Sequence, residues 1–314
     1  MAKFFWCCFV VLCMPVAVLA APQEVATQAQ LAAMQSNGAY VLAADIVING
    51  NWEPLGSDAA PFGGTLDGRG FRISRLSDSL FDTLEGAAVR DVHLEGLIQT
   101  DGVLPVGLLA RVAVDATIQS VTATGEIFAP QASAAGGLLG VQYGGLAANS
   151  RAAVDVYGGN AVGGFAGQLL EGARVFNASA YGNVHAQWAV GGFVGVVGSG
   201  VAVEHAFSAG NVRGQTAVGG FAGALENAGT LYGCLSFSHE VVGEKQVHRL
   251  VGEAAVGAGI THGYAYLGMR VANHEGLRHV SPRNFGPDGA DINRQNLHMV
   301  LRELGWPRLS QREG

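Results

Sequence analysis

Apolar residues recur in the middle of the chain at a nearly constant spacing. The same phrase, AVGGFxG, occurs at residues 161–167, 189–195 and 217–223. The phenylalanine of the phrase has a large apolar counterpart at similar spacing on both sides, which gives seven anchors at Phe81, Leu108, Leu138, Phe165, Phe193, Phe221 and Leu250. Repeats of roughly 20 to 50 residues are typical of solenoids, in which each unit closes its core only against its neighbours. The pattern therefore predicts a solenoid of about seven coils.

Within each repeat, the alternation of apolar and polar residues has a period of two. The segments ARVFNASAYGNV and VAVEHAFSAGNV show it most clearly. The repeats are rich in Gly, Val, Ala and Phe and poor in the Leu, Glu, Lys and Gln that fill helical repeats. These features predict an all-β solenoid, with neighbouring strands about 4.8 Å apart.

The glycines of the repeated phrase predict sharp corners, and the apolar residue that follows each pair is expected to fill the core. A phosphate-binding loop is the alternative, but no copy is followed by the Lys or by the strand-loop-helix context that such a loop requires. The structural set is Gly136, Gly137, Gly163, Gly164, Phe165, Gly191, Gly192, Phe193, Gly219, Gly220 and Phe221.

Both ends of the solenoid are expected to carry caps, because an exposed sheet end invites edge pairing. The pattern predicts an N-terminal helical cap at residues 21–39, in which Gly38 ends the helix. The coils then occupy residues 40–270. A C-terminal cap is expected at 271–314, with a helix near 292–304 whose apolar stripe includes Leu297, Val300, Leu301 and Leu304.

The N-terminal residues and the cysteine content indicate that the protein is exported. The apolar run after Lys3, interrupted by Pro15, predicts a signal peptide over residues 1–20 with cleavage after Ala20, and no membrane span afterwards. Cleavage leaves Cys234 as the single cysteine, so the exported chain has no intramolecular disulfide. The formal net charge of −7 makes nucleic acid a poor partner.

The segment from Tyr40 to Leu76, followed by LFDTLEGAAVRDVHLEG, resembles the N-terminal part of GLUG-motif proteins. Their Gly-Leu-any-Gly core is similar to GGLLG at 136–140 and to the three GGFxG copies. This resemblance covers roughly residues 30–270 and implies a right-handed parallel β-helix. GLUG repeats occur in bacterial adhesins, in other large surface proteins and in the non-catalytic part of immunoglobulin A peptidases.

The resemblance does not extend to the catalytic half of those peptidases. Their zinc motif is H-E-x-x-H, whereas HEGLRH places His274 and His279 five positions apart, so they would diverge on a helix. The segment PDGADIN at 287–293 lacks the alternating carboxylates of a calcium loop. We expect no metal and no cofactor.

The repeat register predicts one polar strip on the outer face. Counting onward from successive anchors by the same two offsets gives Asn183, His185, Asn211, Arg213 and His239, whereas the intervening Val184 and Val212 are expected inside. The strip is either a ligand-binding surface or an ordinary solvated flank. Between residues 135 and 230, no pair of carboxylates recurs at one offset.

We therefore expect a non-enzymatic exported β-helix, secreted, on the cell surface or in the periplasm, that presents a binding surface. Its ligand would be a glycan, a host protein or an envelope component. A polysaccharide-acting lyase or hydrolase is the alternative, with Asp67 as its acid, although Asp-Gly also suits a plain turn. A structural or assembly subunit is a third hypothesis. The oligomeric state is left open.

Overall fold

The structure is a computed structural model that describes residues 21–304. The predicted signal peptide lies outside the described residues, as does the chain after residue 304. Residues 21–304 form 35 strands and two short helices, α1 (Gln28–Ala32) and α2 (Leu297–Glu303). No helix in this part of the chain is long and apolar enough to cross a membrane.

The strands are numbered in chain order. The first third contains β1 (Gln23–Val25), β2 (Ala39–Leu42), β3 (Ile46–Val47), β4 (Thr65–Asp67), β5 (Arg72–Leu76), β6 (Phe81–Glu85), β7 (Ala88–Arg90), β8 (His93–Gln99), β9 (Ala110–Val114), β10 (Thr117–Gln119) and β11 (Thr122–Ala129). The middle contains β12 (Ala135–Gly136), β13 (Leu139–Tyr143), β14 (Leu146–Ala148), β15 (Arg151–Gly158), β16 (Asn160–Gly163), β17 (Ala166–Leu170), β18 (Arg174–Ala180), β19 (Val184–His185), β20 (Trp188–Gly191), β21 (Val194–Val197), β22 (Ala202–Ser208), β23 (Val212–Arg213), β24 (Thr216–Gly219) and β25 (Ala222–Leu225). The last part contains β26 (Thr230–Tyr232), β27 (Leu235–Ser236), β28 (Glu240–Val242), β29 (Lys245–His248), β30 (Val251–Ala254), β31 (Gly259–Thr261), β32 (Tyr264–Tyr266), β33 (Arg270–Asn273), β34 (Gly276–Leu277) and β35 (Ala290–Ile292).

Each strand of the repeats pairs in parallel with its equivalent in the next coil, which confirms the predicted all-β solenoid. In residues 21–304 the strands form a large sheet A, a seven-stranded sheet B that begins with β6, and a five-stranded sheet C that begins with β12. One stack in sheet A runs β1, β2, β4, β7, β10, β14, β18, β22, β26 and β31. These ten strands mark nine turns, so the count of seven coils was too low.

A second stack in sheet A forms the flank that concerns function. It runs β3, β5, β8, β11, β15, β19, β23, β28 and β33. In a regular coil the chain passes from the first stack to this second stack, then through sheet C and sheet B. Residues 174–201 make one such coil, because Arg174 pairs with Ala202 at the start of the next.

The repeated phenylalanines fill the core, as predicted. Phe165, Phe193 and Phe221 are fully buried. Their rings stack nearly parallel, with centroids 4.8 Å and 4.9 Å apart. The coil spacing of about 4.8 Å fixes this distance, because each ring is attached to the same position of successive coils.

The glycines of each phrase let sheets B and C approach each other. The phrase crosses the bend between these sheets, and the first glycine of a pair ends a strand of sheet C. A Cβ on Gly163 would lie 2.5 Å from the Cα of Val194. A Cβ on Gly167, the last glycine of the phrase, would lie 2.6 Å from the carbonyl oxygen of Gly140. Real Cβ atoms do not approach backbone so closely, so these positions require glycine.

The first two anchors are shifted by one residue from their expected places. Strand pairing sets Leu109 opposite Leu138, and Leu80 opposite Leu109. The predicted Phe81 and Leu108 are also fully buried. The sequence count missed the shift because two neighbouring apolar residues stand at each place.

The N-terminal cap begins as part of the solenoid. Strand β1 already pairs with β2, so the coils start before residue 40. Helix α1 follows Thr27, whose side chain accepts a hydrogen bond from the N–H of Gln30, and Leu31 inserts into the core. The short helix therefore packs within the first turn.

The predicted C-terminal helix is present as α2, but it covers a flank. It packs on side chains that point out of sheet A, with Leu235 and Ile292 buried beneath Val300. Residues 287–292 close the end of the solenoid instead. The backbone N–H groups of Leu250 and Val251 donate to the carbonyl of Pro287, and β35 pairs with β32.

A polar and aromatic strip as the candidate functional site

The predicted polar strip lies on the outer face of the second stack of sheet A. Asn183, His185, Asn211 and Arg213 are exposed, and Val184 and Val212 between them are buried. Strand pairing places His185 directly opposite Arg213. The two asparagines precede the strands at the same position of adjacent coils, so four side chains form a compact group.

Hydrogen bonds join the asparagines into a ladder along the coils. Asn183 donates its backbone N–H to Asp155 Oδ1 at 2.7 Å, and its Oδ1 accepts from the N–H of Asn211 at 3.1 Å. Asn211 Oδ1 in turn accepts from the N–H of Glu240 at 3.1 Å. The ladder therefore supports backbone at the start of three strands, in addition to any role in binding.

His239 does not continue this ladder. Val212 pairs with Val241, which sets Glu240 beside Asn211 and moves His239 one position back. The reason is that the coil after Phe221 has one more residue than the two before it. Glu240 instead forms ion pairs with Arg213, at 2.7 Å, and with Arg270. Hydrogen bonding from Arg213, aided by Arg270, lowers the pKa of Glu240 despite an opposing effect of burial.

Aromatic rings extend the strip toward the N-terminus. Phe128, Tyr157 and His185 occupy one register column, because Phe128 pairs with Tyr157 and Tyr157 with His185. Their ring centroids are 6.3 Å and 6.1 Å apart. Phe128 is 46% exposed and Tyr157 38% exposed, although large aromatic side chains are usually buried.

A depression of about 250 Å³ lies within this group of side chains. We call it the central depression. Its lining residues are Tyr157, Asn183, Val184, His185, Asn211 and Arg213. A concave surface with convergent polar groups and an aromatic wall is typical of a ligand site.

Glu126 and Asp155 form a pair of carboxylates on the same face. They lie opposite each other on β11 and β15, so their backbones are about 4.8 Å apart. Asp155 also accepts a hydrogen bond from Asn183 Nδ2 at 3.2 Å. Glu126 precedes residues 135–230, the segment for which no recurring carboxylate pair was predicted.

Asp67 acts as a turn residue. Its Oδ1 accepts from the N–H of Arg69 at 2.9 Å, and its Oδ2 forms an ion pair with Arg90 at 2.7 Å. Burial raises the pKa of Asp67, but these hydrogen bonds and charges lower it by more, so the net pKa is below the usual value. An ionised carboxylate cannot donate a proton, so these contacts favour the turn role of Asp67 over that of a catalytic acid.

The histidines of HEGLRH lie in and beside an antiparallel hairpin of β33 and β34, not on a helix. His274 contacts the carbonyl of Glu244 through Nδ1 at 2.9 Å. In the described residues, no group of three His, Cys, Asp or Glu side chains could hold a metal ion. In the segment 287–293, Asp288 contacts His248 and Asp291 forms an ion pair with Arg249.

Cys234 is fully buried in the core. Burial raises the pKa of its thiol to about 12, and its sulfur lies 3.4 Å from the carbonyl oxygen of Val203. A thiolate nucleophile requires the opposite shift. Cys234 is therefore a core residue.

The sequence contained a signal for the aromatic wall that the count did not use. Tyr157 stands one repeat before His185, and Phe128 stands one repeat before Tyr157. The same offset of 20 residues gives Phe128 from Leu108, but it gives Gly158 from Leu138, so only strand pairing places Tyr157 in this column. Glu240 carried no such signal, because the spacing shows one extra residue after Phe221 but only strand pairing locates it between Ser236 and Val241.

Comparison with known proteins supports the fold. The chain is similar to a solved structure of a candidate immunoglobulin A1 protease from Bacteroides ovatus, with a TM-score of 0.60 and 18% identity over 90% of this chain and 87% of that one. It is also similar to a structure named IgA1 Protease, with a TM-score of 0.62 and 19% identity over 78% of this chain. The match spans only 21% of that second, much longer protein.

No family model and no curated protein matches the sequence. At 18% and 19% identity, the likeness to the two solved structures shows the β-solenoid fold alone. The resemblance to GLUG-motif proteins fits these neighbours and otherwise depends on the sequence pattern.

Proposed function

We propose that this chain is an exported, non-enzymatic binding module whose central depression binds a glycan. The observation that carries the proposal is the convergence of Tyr157, His185, Arg213 and the two ladder asparagines on one concave patch. The rest of the proposal follows from the chemistry of these groups.

The side chains suit a sugar ring. The exposed face of Tyr157 offers an apolar surface for the C–H groups of a pyranose, since aromatic rings combine a broad apolar face with a polar edge. Asn211 Nδ2 donates to no atom of the described residues, and only one Nη atom of Arg213 is used in its pair with Glu240. These free N–H groups can donate to sugar hydroxyls.

The patch suits a protein partner less well. Stable protein interfaces bury about 800 Å² on each side around an apolar centre. The central depression is small and is ringed by Asn, His and Arg side chains. Because two structural neighbours are named immunoglobulin A1 proteases, immunoglobulin A1 should nevertheless be included among the ligands tested.

The test is binding of the purified protein to a panel of glycans and envelope polymers. We expect Tyr157→Ala combined with Arg213→Ala to weaken capture at least about tenfold, which corresponds to about 1.4 kcal/mol. The matched control is Tyr232→Ala combined with Arg174→Ala, which removes the same exposed residue types from the other stack of sheet A. The melting temperatures of both variants must stay close to that of the parent.

Three results would contradict the proposal. Capture of no glycan would remove its basis, and equal losses in both double variants would mean that the depression is not the site. Capture of immunoglobulin A1 alone, sensitive to Tyr157→Ala, would assign the patch to a protein ligand.

Glycan hydrolysis is a second candidate, favoured by the pair Glu126 and Asp155 beside the aromatic wall. Glycosidases use two carboxylates about 5 to 9.5 Å apart, and adjacent coils supply such a spacing. If the protein is a hydrolase, it should release reducing sugars from a polymer that it binds. Glu126→Gln would abolish release and leave binding intact.

A further inference from the structure

A second depression lies on the same flank, nearer the N-terminus. It has a volume of about 350 Å³, and we call it the N-terminal depression. Leu76, Gly96, Leu97 and Gly125 line it, with the polar side chains of Arg75, Ser77 and Glu95 at its sides. Leu97 is 50% exposed, which is unusual for a leucine in a regular strand.

Backbone features create this hollow. Gly96 pairs with Gly125, so two adjacent strands lack side chains at the same place. The pairing of β5 with β8 also shifts between Ile73 and Leu76, which sets Leu76 opposite Gly96. Glycines in neighbouring strands and an irregular register both mark places where another molecule can approach the backbone.

The two depressions lie on one line along the solenoid axis. Leu97 pairs with Glu126, and Glu126 pairs with Asp155. Asn183 follows in the next coil, where it bonds Asp155 through its backbone. Leu97 and Asn183 are therefore three coils apart, or about 14 Å at about 4.8 Å per coil.

The surface between the depressions is aromatic on one side and acidic on the other. Phe128 and Tyr157 expose their rings in one column, while Glu126 and Asp155 occupy the neighbouring column. Exposed carboxylates repel polyanions and accept hydrogen bonds from hydroxyl groups. This combination favours an uncharged ligand that carries many hydroxyls and flat apolar faces.

We propose that the ligand is an extended, uncharged glycan chain that lies along the solenoid axis and occupies both depressions. The length of one pyranose unit in an extended chain is close to the coil spacing, so successive sugars meet successive coils. This inference rests on the proposed glycan binding. It adds a second subsite, at Leu97, and an orientation for the chain.

The experiment measures the dissociation constant against oligosaccharide length, using fragments of the uncharged polymer that the panel identifies. We expect affinity to rise at least about tenfold between a disaccharide and a hexasaccharide and then to level off, because longer fragments reach the second subsite. Leu97→Ala should remove most of this gain and leave disaccharide binding unchanged. Leu277→Ala, an exposed leucine in the C-terminal hairpin, is the matched control and should change neither value.

The outcomes separate this inference from the proposed function. Binding that depends on Tyr157 but not on length overturns the inference and leaves the proposed function standing. Tighter capture of an anionic polymer than of any uncharged one overturns it as well. If Leu97→Ala weakens all lengths equally, Leu97 belongs to the primary site and the two-subsite arrangement is wrong.

Discussion

Asp288 shows how one buried carboxylate is kept charged. It is only 3% exposed, yet its Oδ1 contacts His248 Nδ1 at 3.1 Å and its Oδ2 accepts from the N–H of Ser281 at 3.0 Å. Burial by itself raises the pKa of Asp288. The hydrogen bonds from His248, Ser281 and Arg249 outweigh this effect and lower the pKa to about 2.

This lowered pKa makes stability depend on pH at the acid end. Asp288 has a lower pKa in the folded protein than in the unfolded chain, so its contribution is present above about pH 4 and is lost as the pH falls toward about 2. We expect the loss to be about 1 kcal/mol after allowance for solvent screening. Asp288→Asn should remove this component when denaturant melts are compared at pH 7 and pH 2.

The control for this prediction is Asp101→Asn, which changes an exposed aspartate. Its free energy of unfolding should follow that of the parent at both pH values. A difference between the parent and Asp288→Asn that stays constant from pH 7 to pH 2 would show that ionisation of Asp288 does not stabilise the fold.

Among the repeated elements, the phenylalanine stack sets the stability of the central coils. The ring of Phe193 contacts the rings of the coils on both sides, so a cavity at Phe193 would affect three coils together. Interiors are close-packed, and a neighbouring ring held by its own coil has little freedom to fill the gap.

We expect Phe193→Ala to cost about 3–5 kcal/mol, the usual range for a buried phenylalanine. Phe128→Ala is the matched control, because it makes the same chemical change at an exposed position and should cost less than about 0.5 kcal/mol. Chemical denaturation of both variants measures the difference. Equal costs would contradict the division into inner and outer positions.

The elements themselves were predictable to different degrees. Residues with strong local signals, such as Phe165, Val184 and Leu301, identified the coils, their inner faces and the C-terminal helix. The position of α2 on a flank was not predictable from the sequence. The apolar stripe of α2 could equally cover an open sheet end or the flank that contains Leu235. The N-terminal turns from residue 40 onward fall within the predicted β-helix, but they were not counted as coils, since their strands lack the repeated phrase.

At the scale of the whole molecule, one buried arginine fixes the closing segment. Arg249 is 1% exposed and stands where the previous coils have a glycine. Its guanidinium donates to the carbonyls of Asp288 and Gly289, each at 2.9 Å, and to Asp291 Oδ1 at 2.7 Å. The last turn therefore ends in a charged contact and not in another repeat.

We expect Arg249→Leu to loosen only the C-terminal part of the solenoid. The change leaves the buried carbonyl of Asp288 without a donor and Asp291 without its partner, whereas the carbonyl of Gly289 still accepts from the N–H of Arg283. Such losses cost several kcal/mol in comparable sites. Because each coil contacts only its neighbours, amide hydrogen exchange should accelerate in β31 to β35 and remain slow in β14 and β18.

Arg270→Leu is the control for this prediction, since Arg270 is exposed and pairs with Glu240. Its exchange pattern should match that of the parent. Faster exchange throughout the chain of the Arg249→Leu variant would mean that the solenoid unfolds as one unit.

The candidate site was predictable where the coils are regular and not where they vary. The equivalent positions of Asn183 and Asn211 in identical repeats were enough to place both on one face. His239 was misplaced by one residue because the coil after Phe221 is longer than those before it. Glu126 and Leu97 were missed because they precede the coils whose offsets predict the strip. Side-chain convergence across coils depends on strand pairing, which the spacing alone does not define.

The equal coils between Phe165 and Phe221 have a further consequence for how such a chain can change in length. Ala166 pairs with Val194, and Val194 pairs with Ala222, so each coil offers its neighbours the same hydrogen-bonding edge. Removing one whole coil from this region would join edges that already match. Duplication or deletion of the coding sequence for one coil would therefore lengthen or shorten the solenoid by about 4.8 Å along its axis. The two ends of the solenoid would stay unchanged.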